Sequence, residues 1–271
     1  MNIKLLILFF SLLIVADLFS QKETTITQVF STKEQHIENT LTISDYSLTF
    51  SNHYFTVIQT RGEFSYLIYF HNIKSYWVGD SNSFNTEYYD LLYLYAESDT
   101  SKQDTEELSL IKRLTKRNEI QFSNDSIIIL RNKADYSKID KIESNEIIAN
   151  YKCKEYNYYK EGKLYVNLQN TTKLAPKATK DIVHLWYIIN ILNNTINIET
   201  SFNLSFISED MKHGYPMKTT ILDTNDDILK QEIVNSVDKH GISDCECYKY
   251  IKYQKLNLVD LLIGAESEKG K

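Results

Sequence analysis

The sequence predicts a β-rich α+β domain in which an antiparallel sheet packs on a few helices. Three observations carry this. Apolar residues recur at period two through residues 41–70, the helical period shows in only three stripes, and the chain holds 20 Tyr and 12 Phe against 7 Gly and 2 Pro. Alternation with polar partners buries one face of each strand and wets the other, the pattern of an antiparallel meander. Aromatic and β-branched residues suit pleated, half-buried surfaces. So few Gly and Pro exclude collagen-like arrays and Pro-rich linkers.

Residues 1–20 come first. Lys4 precedes Leu5 to Ala16, an uncharged and almost wholly apolar run, and small Ser20 stands before Gln21. A basic start, a short apolar stretch and a small residue at the boundary predict a signal peptide. The run is shorter than the roughly 20 residues a membrane span needs. Residues 21–271 are then expected to form one β-rich domain, exported to the periplasm or the extracellular space, with no integral membrane segment after the signal is removed.

The strands begin with Leu41 and Ile43, then Tyr46, Leu48 and Phe50, then Phe55 and Val57, then Phe64, Tyr66, Ile68 and Phe70. The period changes at Tyr88, Leu91, Leu92 and Tyr95, spaced as one helical stripe. Leu108, Ile111 and Leu114 make a second stripe after Asp104, a suitable N-cap. Ile127 to Leu130 reads as a short buried strand, and the charged residues 132–145 as loop. NYKCKEYNYY (150–159) reads as a single strand with Tyr151, Cys153 and Glu155 on one face, and Leu164, Val166 and Leu168 as its returning partner. Ile182, Leu185, Ile189 and Leu192 form the third helical stripe, with Trp186 beside it. Segments 196–207, 217–222, 228–237 and 245–253 have strand character, before apolar Leu256 to Ile263.

Composition narrows the function classes. An apolar content of 42% excludes a disordered chain, and a net charge of −6 argues against a nucleic-acid partner, which needs a basic face. Gly-x-Gly, His-Glu-x-x-His and Gly-x-Ser-x-Gly are all absent, so no nucleotide, zinc-protease or hydrolase signature is present. Asp223 to Asp227 opens like a calcium loop, but Ile228 and Val234 occupy the positions that need Gly and Glu; a hairpin turn fits better. No cofactor and no metal are expected. Of Cys153, Cys245 and Cys247, two are expected to pair in an oxidising compartment, with Cys153–Cys247 the candidate disulfide.

The segment from Ser144 to Val166, with Tyr151, Lys152, Cys153 and Lys154, resembles a motif of LolA-like half-barrel proteins exported by Gram-negative bacteria; Asn150 stands where those families carry Gly. The segment from His213 to Val237 resembles their Gly-x-Pro-x-Lys strand through Gly214, Pro216 and Lys218. The resemblance implies a strongly curved antiparallel sheet wrapped around helices and enclosing an apolar concavity. Carrier members hold lipoprotein acyl chains there. A non-enzymatic protein binding a lipid or other apolar ligand is therefore expected, with Tyr88, Leu92, Tyr95, Ile182, Trp186 and Ile189 facing the cavity. The alternative is a cell-envelope protein with a filled core that meets a protein partner through Tyr-rich strand faces.

Overall fold

The computed structural model describes residues 22–61, 65–88, 120–123, 126–129, 138–142, 146–174, 178–195, 214–241 and 249–267. The N-terminal meander consists of β1 (Lys22–Thr32), β2 (His36–Ile43), β3 (Ser47–Ser51), β4 (Phe55–Thr60), β5 (Ser65–Phe70) and β6 (Ser75–Asp80). Helical residues 81–88 (α1) follow. A separate hairpin pairs β7 (Ile120–Ser123) with β8 (Ser126–Ile129). Next come β9 (Lys138–Ile142), β10 (Ile147–Ile148), β11 (Tyr151–Lys152), β12 (Lys154–Lys160) and β13 (Lys163–Thr171). Helix α2 (Thr179–Thr195), β14 (Tyr215–Leu222), β15 (Ile228–Gly241), β16 (Gln254–Lys255) and helix α3 (Leu258–Ser267) complete the described chain.

Twelve strands form one open sheet in the order β16-β6-β5-β4-β3-β2-β1-β15-β14-β13-β12-β9. Every pairing in it is antiparallel except β16 on β6. The expected β-rich fold with a large, mostly antiparallel sheet and few helices is thus present. Its seam is β1 against β15, in register from Lys22–Gly241 to Thr32–Lys230 with a shift between Thr27 and Gln28.

The alternation seen in the sequence becomes rows across the strands. Leu41 pairs with Ile26 and Phe50, Phe50 with Val57, Val57 with Ile68, and Ile68 with Trp77. All six are buried in one core. Withdrawing such a side chain from water stabilises by roughly 1.5–3 kcal/mol. Helix α2 lies over β3 and β4 and adds Ile182, Leu185, Trp186, Ile189 and Leu192 to the same core. Ile188 and Ile191 are also buried, so α2 sinks a wider arc than its sequence stripe indicates. Arg61 reaches from the end of β4 to Asp181 in the first turn of α2, Nε to Oδ2 at 2.9 Å, where a carboxylate also favours the positive end of the helix.

The C-terminal segment clasps the β6 edge from both sides. Tyr250 and Tyr253 cover Tyr69 on one face, with ring centroids 4.5 and 5.0 Å away. The Leu256 N–H donates to the Tyr76 carbonyl at 2.9 Å, and Leu258, Leu261 and Leu262 enter the core on the other face. Glu87 secures the join, accepting from the Leu258 N–H at 2.7 Å and from Trp77 Nε1 at 3.1 Å.

Several expectations are corrected. Residues 150–159 are not one strand. Ala149 (φ 45°) and Asn150 (φ 69°) turn the chain so that β10 pairs with β11. The Cys153 N–H bonds the Glu146 carbonyl, and β12 starts at Lys154. The break changes parity: Cys153 enters the core, whereas Glu155 joins a polar network with Asn157, Asn167 and Gln169. Tyr156 and Tyr158 are buried with Val166 and Leu168. Charged residues 138–142 form a strand at the end of the sheet, a position where charges discourage further pairing. Residues 249–253 are turn, not strand. The second helical stripe and segment 196–207 lie outside the described residues. The Asp223–Asp227 turn is a hairpin turn: Asp223 Oδ1 accepts the N–H of Asn225 at 2.7 Å and of Asp227 at 3.0 Å.

Candidate functional site

The sheet face under α2 is where the sequence places a ligand. Of the residues proposed to face a cavity, Tyr88, Ile182, Trp186 and Ile189 are each at most 1% exposed and belong to the main core. Trp186 meets Phe50 edge-on at a centroid distance of 5.2 Å, and Tyr88 stacks on Phe84 at 6.2 Å. Leu92 and Tyr95 lie outside the described residues. Cys153 is a buried thiol whose Sγ lies 3.4 Å from the Tyr151 carbonyl, with its pKa raised by burial. Cys247 also lies outside the described residues. Asn170 and Asn193, two of four Asn-x-Ser/Thr sites, are buried and offer no accessible amide for glycosylation.

Polar groups sit among the apolar rows near the β1–β15 seam. Gln28 pairs with Asn39 and Val234 in register, and Glu232 pairs with Phe30 and Thr219. Gln28 Nε2 donates to Glu232 Oε1 at 2.6 Å, and the Tyr215 hydroxyl donates to Gln28 Oε1 at 3.2 Å. Glu232 Oε2 and Thr219 Oγ1 are buried without a hydrogen-bond partner. Burial lifts the Glu232 carboxyl well above its ordinary value of 4.5, so the neutral acid is favoured. Tyr215 is raised by burial first and by the neighbouring Glu232 second. The sequence does carry a signal for this chain, since Gln28 and Glu232 occupy inward-phase positions between Ile26 and Phe30 and before Val234.

A solvent-open cleft of about 410 Å³ lies at one end of β2 and β3. His36, Glu38 and Thr40, on alternate positions of β2, line it beside Ser51, Asn52, His53 and Tyr54 at the end of the neighbouring strand β3, where Thr40 pairs with Ser51. The end of β3 is internally braced. Asn52 Oδ1 accepts the N–H groups of Tyr54 at 2.9 Å and Phe55 at 3.0 Å, while Asn52 Nδ2 donates to Asn39 Oδ1 at 3.4 Å. Ser51 Oγ lies 2.9 Å from Thr56 Oγ1, which lies 3.1 Å from His71 Nε2. Burial, and then the charge of His53, hold His71 below the usual imidazole value of 6.5. Thr56 stands between Ser51 and the imidazole, so the trio is not a nucleophile–base pair in direct contact.

No protein-family model matches this chain, and no curated protein matches it. Among solved structures, an uncharacterized conserved protein from Thermus thermophilus is similar at 7% identity, covering 91% of this chain and 98% of that one with a TM-score of 0.40. The Pseudomonas aeruginosa MucA/MucB complex matches at 8% identity over 85% of this chain and 56% of that one, with a TM-score of 0.34. PNGF-II matches at 9% identity over 90% and 33%, with a TM-score of 0.38. This chain therefore spans about half of the second protein and a third of the last. Superpositions this loose bear no weight on what the protein does.

Proposed function

We propose that this chain is an exported, non-enzymatic binding protein whose helix-covered sheet is a solid scaffold and whose surface meets a protein partner in the cell envelope. One observation supports this reading over an acyl-chain carrier: Ile182, Trp186, Ile189 and Tyr88, the side chains that would contact an apolar ligand, have at most 1% of their surface accessible. That surface packs on the sheet's own rows, and a tail entering here would have to displace α2. Among the described residues no helix is long and apolar enough to cross a membrane. In an oxidising compartment Cys153 is expected to pair with Cys247; counting thiols on denatured, unreduced protein should return one, and a count of three removes the bridge.

The apolar cluster of Tyr156, Tyr158, Val166 and Leu168 in the β12–β13 half is closed in the same way, with no member more than 5% exposed. Native mass spectrometry on protein purified from the envelope of its own host separates the scaffold reading from a lipid carrier. The scaffold reading expects an N-terminus at Gln21, no lipid adduct and a stoichiometric protein complex. A co-purifying acyl lipid that shifts the Trp186 fluorescence would refute it.

A further inference from the structure

We propose that the cleft between β2 and residues 51–54 binds a neutral saccharide. Its volume of about 410 Å³ falls within the range of small-molecule sites, roughly 300–1,000 Å³. Its chemistry narrows the ligand class. The walls combine hydroxyls (Thr40, Ser51), imidazoles (His36, His53) and a carboxylate (Glu38), with neither Lys nor Arg in the lining. A strongly acidic ligand would meet the Glu38 charge with no opposing Lys or Arg. An acyl tail would strip water from these polar groups without replacing the lost hydrogen bonds. The described residues contain no metal-binding cluster. A sugar hydroxyl both donates and accepts, so it can serve the Glu38 carboxylate and the Thr40 and Ser51 hydroxyls together. Tyr54 provides apolar surface for the C–H face of the ring.

The cleft also holds part of its shape before any ligand arrives. Asn52 is fixed by two backbone donors, and Ser51 by Thr56 and His71. Such bracing lowers the ordering cost of binding. His36, Glu38 and His53 are exposed and still have to be ordered on binding, which opposes that gain.

The test is a nuclear magnetic resonance titration of the isotope-labelled chain with glucose, cellohexaose, decanoate and inorganic phosphate, each in a separate arm. Saturable shifts of the amides of residues 36–40 and 51–54 with a sugar support the site. A response to both sugars indicates a free saccharide as ligand, and a response to cellohexaose alone indicates a polysaccharide chain. Glu38→Gln and Ser51→Ala should each weaken binding about tenfold while leaving the amide spectrum outside the cleft unchanged. Absence of saturable shifts with both sugars overturns the proposal. So do equal shifts with decanoate or phosphate, or undiminished affinity in both variants.

Discussion

Replacing Glu232 with Gln tests the chemistry of the sheet seam. Glu232 is 4% exposed; Oε1 accepts from Gln28 and Oε2 has no hydrogen-bond partner. Its carboxyl is raised well above 4.5 by burial, so the folded protein holds a proton that the unfolded chain releases. The sign follows. Below the ordinary carboxylate value both states are protonated and the folded state keeps the full benefit of the neutral acid. As pH rises from there toward the folded value, that contribution falls by about 1.4 kcal/mol per pH unit. A Gln side chain keeps the shape and an acceptor for Gln28 but cannot ionise. The variant should match the parent at pH 4 and then gain on it steadily as pH rises toward the folded value. Urea denaturation followed by fluorescence at half-unit steps from pH 4 to pH 8 measures the difference, and other carboxylates cancel because both proteins share them. A difference that stays flat with pH would refute the reasoning, as would a parent that becomes the more stable protein in alkali.

Other predictions rest on separate parts of the molecule. Trp186→Ala removes a side chain buried against Phe50 and should cost about 3–5 kcal/mol in equilibrium denaturation; a cost under 1 kcal/mol would mean the face beneath α2 is loosely packed. Gly214→Ala places a Cβ 2.4 Å from the Thr171 carbonyl oxygen at φ +108°, whereas Gly162→Ala meets nothing within 4 Å at φ +78°. The first should lower the melting temperature severely and the second by only about 1–2 kcal/mol of stability, so equal effects would contradict the close approach of β13 and β14. A double-mutant cycle on Arg61 and Asp181 should return a coupling of about 1 kcal/mol, because the pair is only partly exposed and holds α2 to the meander; zero coupling would make the contact incidental.

The sequence determined the sheet's local grammar. Leu41, Leu48, Phe50, Val57, Ile68 and Phe70 face inward as their alternation requires, because a strand projects successive side chains to opposite sides. The stripe Ile182, Leu185, Ile189 and Leu192 marked the buried side of α2 for the equivalent helical reason. Only the tertiary structure decided how these pieces meet. The pairing of β1 with β15 joins residues about two hundred positions apart, and no local pattern encodes which strand will neighbour which. The parity change at Cys153 came from two residues in left-handed backbone conformation, not from hydrophobic spacing. The 138–142 strand forms because β12 offers it an edge, although its charged residues read as loop. The cleft shows the same division: His36, Glu38 and Thr40 are ordinary wet-face residues in sequence, and line a cleft only because the β2–β3 pairing sets Ser51 beside Thr40 and the Asn52-braced turn after β3 carries His53 and Tyr54. Local patterning decides which side chains face water; the enclosure they form depends on long-range pairing, whose loop-closure entropy is offset by the whole core acting together.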